Sequence, residues 1–134
     1  MSKDLEITPF VFVYGTLKRT YNNNYLLHSS TFLQEDTTKD LFVLGQVGIP
    51  FAVPKELCPP NLEFKSIKGE LYEVNEGTLV NLDILEQNDY LYKREPREMR
   101  SGKVAWVYIF PKVQVLRHCT YCNETPEGEF IWQS

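Results

Sequence analysis

Phe10-Val11-Phe12-Val13-Tyr14-Gly15-Thr16-Leu17 is the stretch from which the fold is read. Five consecutive β-prone apolar residues lie between Pro9 and Gly15. A short unbroken run of this kind predicts a central strand buried on both faces. The strand runs into a glycine followed by a small hydroxyl residue. Gly15 permits a sharp turn or a close backbone approach. Free N–H groups in such a turn would form a nest for a carboxylate or an oxyanion. A plain strand-to-loop transition gives the same residues. Lys18 and Arg19, next in line, either add positive charge to the turn or are solvated.

Further strands are expected at Leu41 to Val47, along the extended segment Ile49 to Pro54, and at Ile67 to Val74. A hairpin is expected from Tyr90–Met99 and Lys103–Phe110, joined near Ser101-Gly102. One helix stands out, Glu76 to Gln87, with Asn75 as its N-cap. A short helical turn fits Asn24 to His28. Many short strands with one helix predict an α+β fold or a β-barrel with helical trim.

Helix phase directs attention to Glu86. It follows Leu79 by seven residues and Leu82 by four, so it shares their inward face. A carboxylate on an apolar face is paired, shifted in pKa, or turned to a cavity. Those states suit a general acid or base. The alternative from spacing alone is a Glu that closes the helix and reaches solvent. Tyr92 and Arg94 share one strand face. Arg94 is read as a structural partner for a carboxylate such as Asp83, and Tyr108 as pocket wall or core.

The chain has 134 residues, 43% hydrophobic and 13% aromatic, and a formal charge of −4. One domain spanning 1–134 is expected, with roughly two-thirds of its unfolded surface buried. The acidic balance excludes a general nucleic-acid surface. No apolar run approaches the ~20 residues of a bilayer span. Met1-Ser2-Lys3-Asp4-Leu5-Glu6 carries no signal-peptide pattern, which points to a cytoplasmic protein. Three cysteines, Cys58, Cys119 and Cys122, read as reduced thiols. Cys119-x-x-Cys122 beside His118 lacks the second ligand pair that zinc requires, so no metal is expected.

Val11-Phe12-Val13-Tyr14-Gly15-Thr16-Leu17-Lys18-Arg19 resembles the N-terminal signature of the γ-glutamyl cyclotransferase-like superfamily, in particular its γ-glutamylamine cyclotransferase or AIG2-like branch. The resemblance continues in Ile49-Pro50-Phe51, Lys68-Gly69-Glu70-Leu71-Tyr72-Glu73-Val74, Leu82-Asp83-Ile84-Leu85-Glu86, Leu91-Tyr92-Lys93-Arg94 and Val107-Tyr108. The chain departs from the family pattern at Thr20 and Gln87, where the family often has Gly. The resemblance implies a small, mostly antiparallel closed β-barrel with short helices. It implies cyclisation of the γ-glutamyl group of a γ-glutamylamine, such as γ-glutamyl-ε-lysine, to 5-oxoproline with release of the amine. Glu86 would be the general base and acid, and Tyr14, Gly15, Thr16 and Leu17 would bind the substrate, with no cofactor. The alternatives are a γ-glutamyl-amino-acid cyclotransferase, or a non-catalytic module that binds a small ligand on the same fold. Neither the leaving amine nor the oligomeric state is legible.

Overall fold

The computed structural model describes residues 3–133; Met1 and Ser2 of the N-terminal hexapeptide, and Ser134, lie outside it. The elements in chain order are helix α1 (Lys3–Ile7) and strands β1 (Phe10–Val13), β2 (Thr31–Thr37), β3 (Phe42–Val47), β4 (Ile49–Pro54) and β5 (Lys68–Glu73). Helix α2 (Glu76–Leu85) follows, then β6 (Lys93–Glu98), β7 (Val104–Ile109), β8 (Thr120–Tyr121), β9 (Asn123–Glu124) and β10 (Phe130–Ile131). Short 3₁₀ turns occupy Asn24–Leu27, Lys55–Leu57 and Val113–His118.

β1 is the middle strand of a five-stranded sheet ordered β2-β5-β1-β7-β6. It pairs antiparallel with β5 and parallel with β7. Val11 and Val13 point into one apolar cluster with Leu79, Leu82 and Trp106, whereas Phe12 points into the other with Phe42, Leu71 and Phe130. Burial on both faces is why this strand carries no polar residue. Gly69 on β5 allows a close approach of the β1 backbone. A Cβ there would lie 2.4 Å from the Val13 carbonyl oxygen and 2.7 Å from the Phe12 ring.

α2 starts where its N-cap stands. The Asn75 Oδ1 accepts a hydrogen bond from the Thr78 N–H at 2.8 Å, a cap worth about 1 kcal/mol. Leu79 and Leu82 are buried, and Val80 and Ile84 face outward. The helix stops at Leu85, two residues before the expected end, because Gln87 adopts φ +50°. A left-handed residue there ends the hydrogen-bonded ladder.

The expected closed barrel is not found. The β-structure consists of the five-stranded sheet, a three-stranded sheet ordered β4-β3-β8 and the pair β10-β9. The edge strands β2 and β6 meet only beyond their ends, through one bridge between Thr38 and Met99. β6 reads Lys-Arg-Glu-Pro-Arg-Glu. Its charges and Pro96 are the features that hold a strand at an edge and stop the ladder from closing. The pairing is antiparallel throughout except for β1 with β7 and an isolated bridge between Ile67 and Phe130.

Two other expectations shift. Residues 90–92 belong to a turn, so the hairpin is Lys93–Glu98 with Val104–Ile109. β2 arises from Thr-Phe-Leu-Gln-Glu-Asp-Thr, a segment without strand periodicity that pairs with β5 through a bulge between Phe32 and Gln34. The C-terminal segment ends in β10 and Trp132, with Phe130 and Trp132 in the core.

Candidate active site

A cavity of about 310 Å³ opens between the end of β1 and the end of α2. Tyr14, Gly15, Thr16 and Leu17 line one side, and Glu86 with Gln87 line another. Asn22 and Asn23 complete the turn side; Ile49, Pro50 and Leu91 form an apolar wall. The fold therefore brings all five sequence-derived site residues onto one cavity.

The turn is held from several directions. The Lys18 N–H donates to the Gly15 carbonyl at 3.0 Å and the Asn23 N–H to the Thr16 carbonyl at 3.0 Å. Asn23 Nδ2 donates to Thr16 Oγ1 at 2.8 Å, and Asn24 Nδ2 to the Leu17 carbonyl at 2.7 Å. Glu70, buried on β5, accepts the Arg19 N–H at 2.8 Å, Arg19 Nε at 3.1 Å and the Tyr72 hydroxyl at 3.1 Å. Lys18 is also buried, and its Nζ donates to the Trp132 carbonyl at 2.7 Å. Neither cation lines the cavity; the exposed Arg19 ties the turn to β5 and the buried Lys18 ties it to the C-terminal segment. Among the described residues, none accepts the N–H of Gly15, Thr16 or Leu17. Three consecutive turn residues that line the cavity thus have N–H groups without acceptors among the described residues.

Gly15 does not have a left-handed backbone. Its need is for space: a Cβ would lie 2.9 Å from Pro50 Cγ. The apolar wall and the turn touch at this point, so any side chain at 15 would push them apart.

Glu86 caps the C-terminus of α2, with its N–H donating to the Leu82 carbonyl at 2.9 Å. It both closes the helix and faces the cavity. No described residue donates a hydrogen bond to its carboxylate. Burial alone pushes its pKa up to about 7, since a low-dielectric site disfavours the charged form. Three tyrosines surround it electrostatically, and each hydroxyl is engaged elsewhere. Tyr14 donates to the Tyr108 carbonyl at 2.5 Å, Tyr92 to the Pro50 carbonyl at 2.7 Å, and Tyr108 to Asp83 Oδ1 at 2.6 Å. Burial is the largest cause holding all three phenols above the ordinary tyrosine value, and the nearby Glu86 charge adds to it. They stay protonated and committed, which leaves Glu86 an unassisted carboxyl poised near neutrality.

Arg94 forms the structural pair expected of it. Its Nε and Nη2 donate to the two Asp83 oxygens at 2.8 and 3.0 Å, and Nη2 also reaches Asp4 at 2.9 Å. The guanidinium lies 4.2 Å from the Trp106 ring centroid. Asp83 thus orients both Arg94 and Tyr108 behind the cavity. The C-x-x-C motif divides: Cys119 Sγ donates to the Val115 carbonyl at 3.1 Å, Cys122 is in the core, and His118 is exposed. Among the described residues, no group of three His, Cys, Asp or Glu could hold a metal ion, and no helix is long and apolar enough to cross a membrane.

Sequence reasoning missed Glu70, Lys18, Asn23 and Asn24 as members of the site. Their roles depend on partners distant in the chain or on side-chain turns. Asn22-Asn23-Asn24 was the one visible signal, since asparagine side chains readily bond nearby backbone in turns.

The family model for gamma-glutamyl cyclotransferase, AIG2-like proteins matches residues 11–130. A Drosophila melanogaster protein named, provisionally, as a gamma-glutamylcyclotransferase is 36% identical over 144 residues, covering 97% of this chain and 90% of that one. A Methanocaldococcus jannaschii protein of the same provisional name is 34% identical over 108 residues, covering 77% of this chain and 85% of the relative. The crystal structure of an AIG2-like protein from Mus musculus superposes with a TM-score of 0.67 at 25% identity, covering 94% of this chain and 96% of that one. With the match running from β1 through β10, the chain belongs to the gamma-glutamyl cyclotransferase, AIG2-like family.

Proposed function

We propose that this protein is a γ-glutamylamine cyclotransferase that converts a γ-glutamylamine to 5-oxoproline and the free amine. The observation that carries the reading is the pairing, on one cavity, of three unbonded turn N–H groups with an unassisted carboxyl poised near pH 7. The N–H groups of Gly15, Thr16 and Leu17 hold the α-carboxylate of the glutamyl group. Glu86 takes a proton from the α-ammonium. The freed amine attacks the γ-carbonyl carbon of the same molecule, and the new C–N bond closes the five-membered ring. Glu86 then returns that proton to the leaving nitrogen as the old C–N bond breaks, and the second proton, left on the ring nitrogen by the attack, passes to the released amine, which departs as an ammonium. A carboxyl near neutrality serves both directions. Because nucleophile and electrophile share one molecule, the cavity contributes chiefly by folding the substrate into a near-attack shape. No metal or organic cofactor is needed for this chemistry.

An amine leaving group is favoured over an α-amino acid by charge. None of the cavity-lining residues is Lys, Arg or His, and Glu86 is the one charged side chain among them. A second carboxylate close to the scissile nitrogen would meet like charge with no cation to offset it.

The test is incubation with γ-glutamyl-ε-lysine and with γ-glutamyl-alanine, following 5-oxoproline. Release from the first, faster than from the second, is expected. Absence of 5-oxoproline from every γ-glutamyl compound, together with measurable 5-oxoproline binding, would replace the enzyme with a non-catalytic binding module.

A further inference from the structure

Gln87 has a backbone that should select against it and a side chain that nothing in the fold uses. Its φ is +50°, in the left-handed region that favours glycine. The backbone is pinned there. The Gln87 N–H donates to the Ile84 carbonyl at 3.2 Å, and the Gln87 carbonyl accepts the N–H groups of Tyr90 and Leu91, each at 2.9 Å. The carboxamide, by contrast, makes no hydrogen bond with any described residue, although the residue lines the cavity directly after Glu86. The left-handed backbone serves to end α2, so what the fold leaves unused is the exposed carboxamide itself, set at the rim of the cavity.

The surroundings say which function. In the proposed reaction Glu86 must reach the leaving nitrogen, so the next residue lies beside the leaving chain. The same cavity is lined by Ile49 and by Leu91, whose N–H donates to the Gln87 carbonyl, two aliphatic side chains that remain partly exposed. We infer that Gln87 determines leaving-group specificity: the methylenes of an aliphatic amine run against Ile49 and Leu91, and the Gln87 carboxamide oxygen accepts a hydrogen bond from a donor further along that amine, such as a distal ammonium. This rests on the cyclotransferase reading and deepens it.

Thr20 supplies an internal control. It too has a left-handed backbone, φ +74°, and as a β-branched residue it is strained at least as much. Both residues are exposed, but Thr20 is not among the cavity-lining residues.

The experiment compares kcat/KM for γ-glutamyl-1,4-diaminobutane and γ-glutamyl-n-butylamine, which differ by the distal ammonium, in the wild type and in Gln87→Gly, Gln87→Asn and Thr20→Gly. Melting temperatures are measured alongside. The wild type is expected to prefer the diamine substrate by roughly tenfold, the scale of one hydrogen bond to a charged group. Gln87→Gly should bring the ratio near one while raising Tm by about 2–6 °C. Gln87→Asn tolerates the left-handed backbone with a shorter carboxamide and should fall between. Thr20→Gly should raise Tm similarly and keep the wild-type ratio. An unchanged ratio in Gln87→Gly, or a wild type that does not distinguish the two substrates, overturns the inference and leaves the cyclotransferase reading standing. If the wild type releases 5-oxoproline from neither these substrates nor γ-glutamyl-ε-lysine, the reading and the inference fall together.

Discussion

The two banks of the cavity are built on opposite principles. On the turn side, residues 15–24, the side chains of Thr16, Lys18, Arg19, Asn23 and Asn24 are all hydrogen-bonded. On the helix-end side, residues 86–92, the side chains of Glu86 and Gln87 are unbonded; left-handed backbones occur on both banks, at Thr20 on the first and at Gln87 and Asp89 on the second. The first bank is over-determined, as a preformed binding surface should be. The second leaves two cavity-lining polar side chains, Glu86 and Gln87, without partners, while Asn88 and Tyr92 beside them are hydrogen-bonded to Arg94 and Pro50. In the proposed reaction the first bank would receive the substrate's charge and the second would move its proton.

The largest expected effect breaks the reactive bank. Glu86→Gln should lower kcat for 5-oxoproline release by about 10²–10⁴-fold, the usual contribution of a general acid–base, with the fold intact by circular dichroism. Next comes the rigid bank. Glu70→Ala leaves the Arg19 N–H and the Tyr72 hydroxyl without their acceptor and should cost about 2 kcal/mol by urea denaturation. Because it loosens the turn and spares Glu86, it should also raise KM more than it lowers kcat.

A third experiment sharpens the contrast through pH. The Glu86 pKa is raised by burial from 4.5 to about 7. The folded state therefore holds a proton that the unfolded state releases above pH 4.5. The ionised carboxyl costs stability: the cost is absent below about 4.5, grows as pH rises, and is complete above about 7. Glu86→Gln should then be more stable than the wild type at pH 8, by about 1–3 kcal/mol, and equal to it at pH 4. A mutant destabilised at pH 8 would place Glu86 among structural carboxylates. The smallest effect is Asn23→Ala. Loss of its bond to Thr16 Oγ1 should cost about 1 kcal/mol and leave the pH dependence of turnover unchanged.

The two banks also differ in how far they could be read from the chain. β1 was legible because burial on both faces forces an uninterrupted apolar run. The start of α2 was legible because Asn75 is a local cap, and the inward phase of Glu86 followed from two buried leucines. What escaped was non-local. β2 is a strand because β5 lies beside it, so its own residues need no alternation. Glu70 meets Arg19 across 51 positions and Lys18 meets Trp132 across 114, and no local pattern encodes such pairs. The helix overran its end because left-handed backbone at a Gln leaves no signature. The barrel was one of two readings of the many short strands, and the family resemblance selected it. In this chain Pro96 and the charged β6 keep the sheet open.

The most direct test of the central claim is the pH profile of kcat/KM for 5-oxoproline release from γ-glutamyl-ε-lysine. The expected profile has an acidic limb with an apparent pKa near 7, set by deprotonation of Glu86 in the free enzyme, and Glu86→Gln loses that limb together with about 10²–10⁴-fold of the rate. Wild-type activity in Glu86→Gln, with the same acidic limb, would show that another group moves the proton and would remove Glu86 from the mechanism.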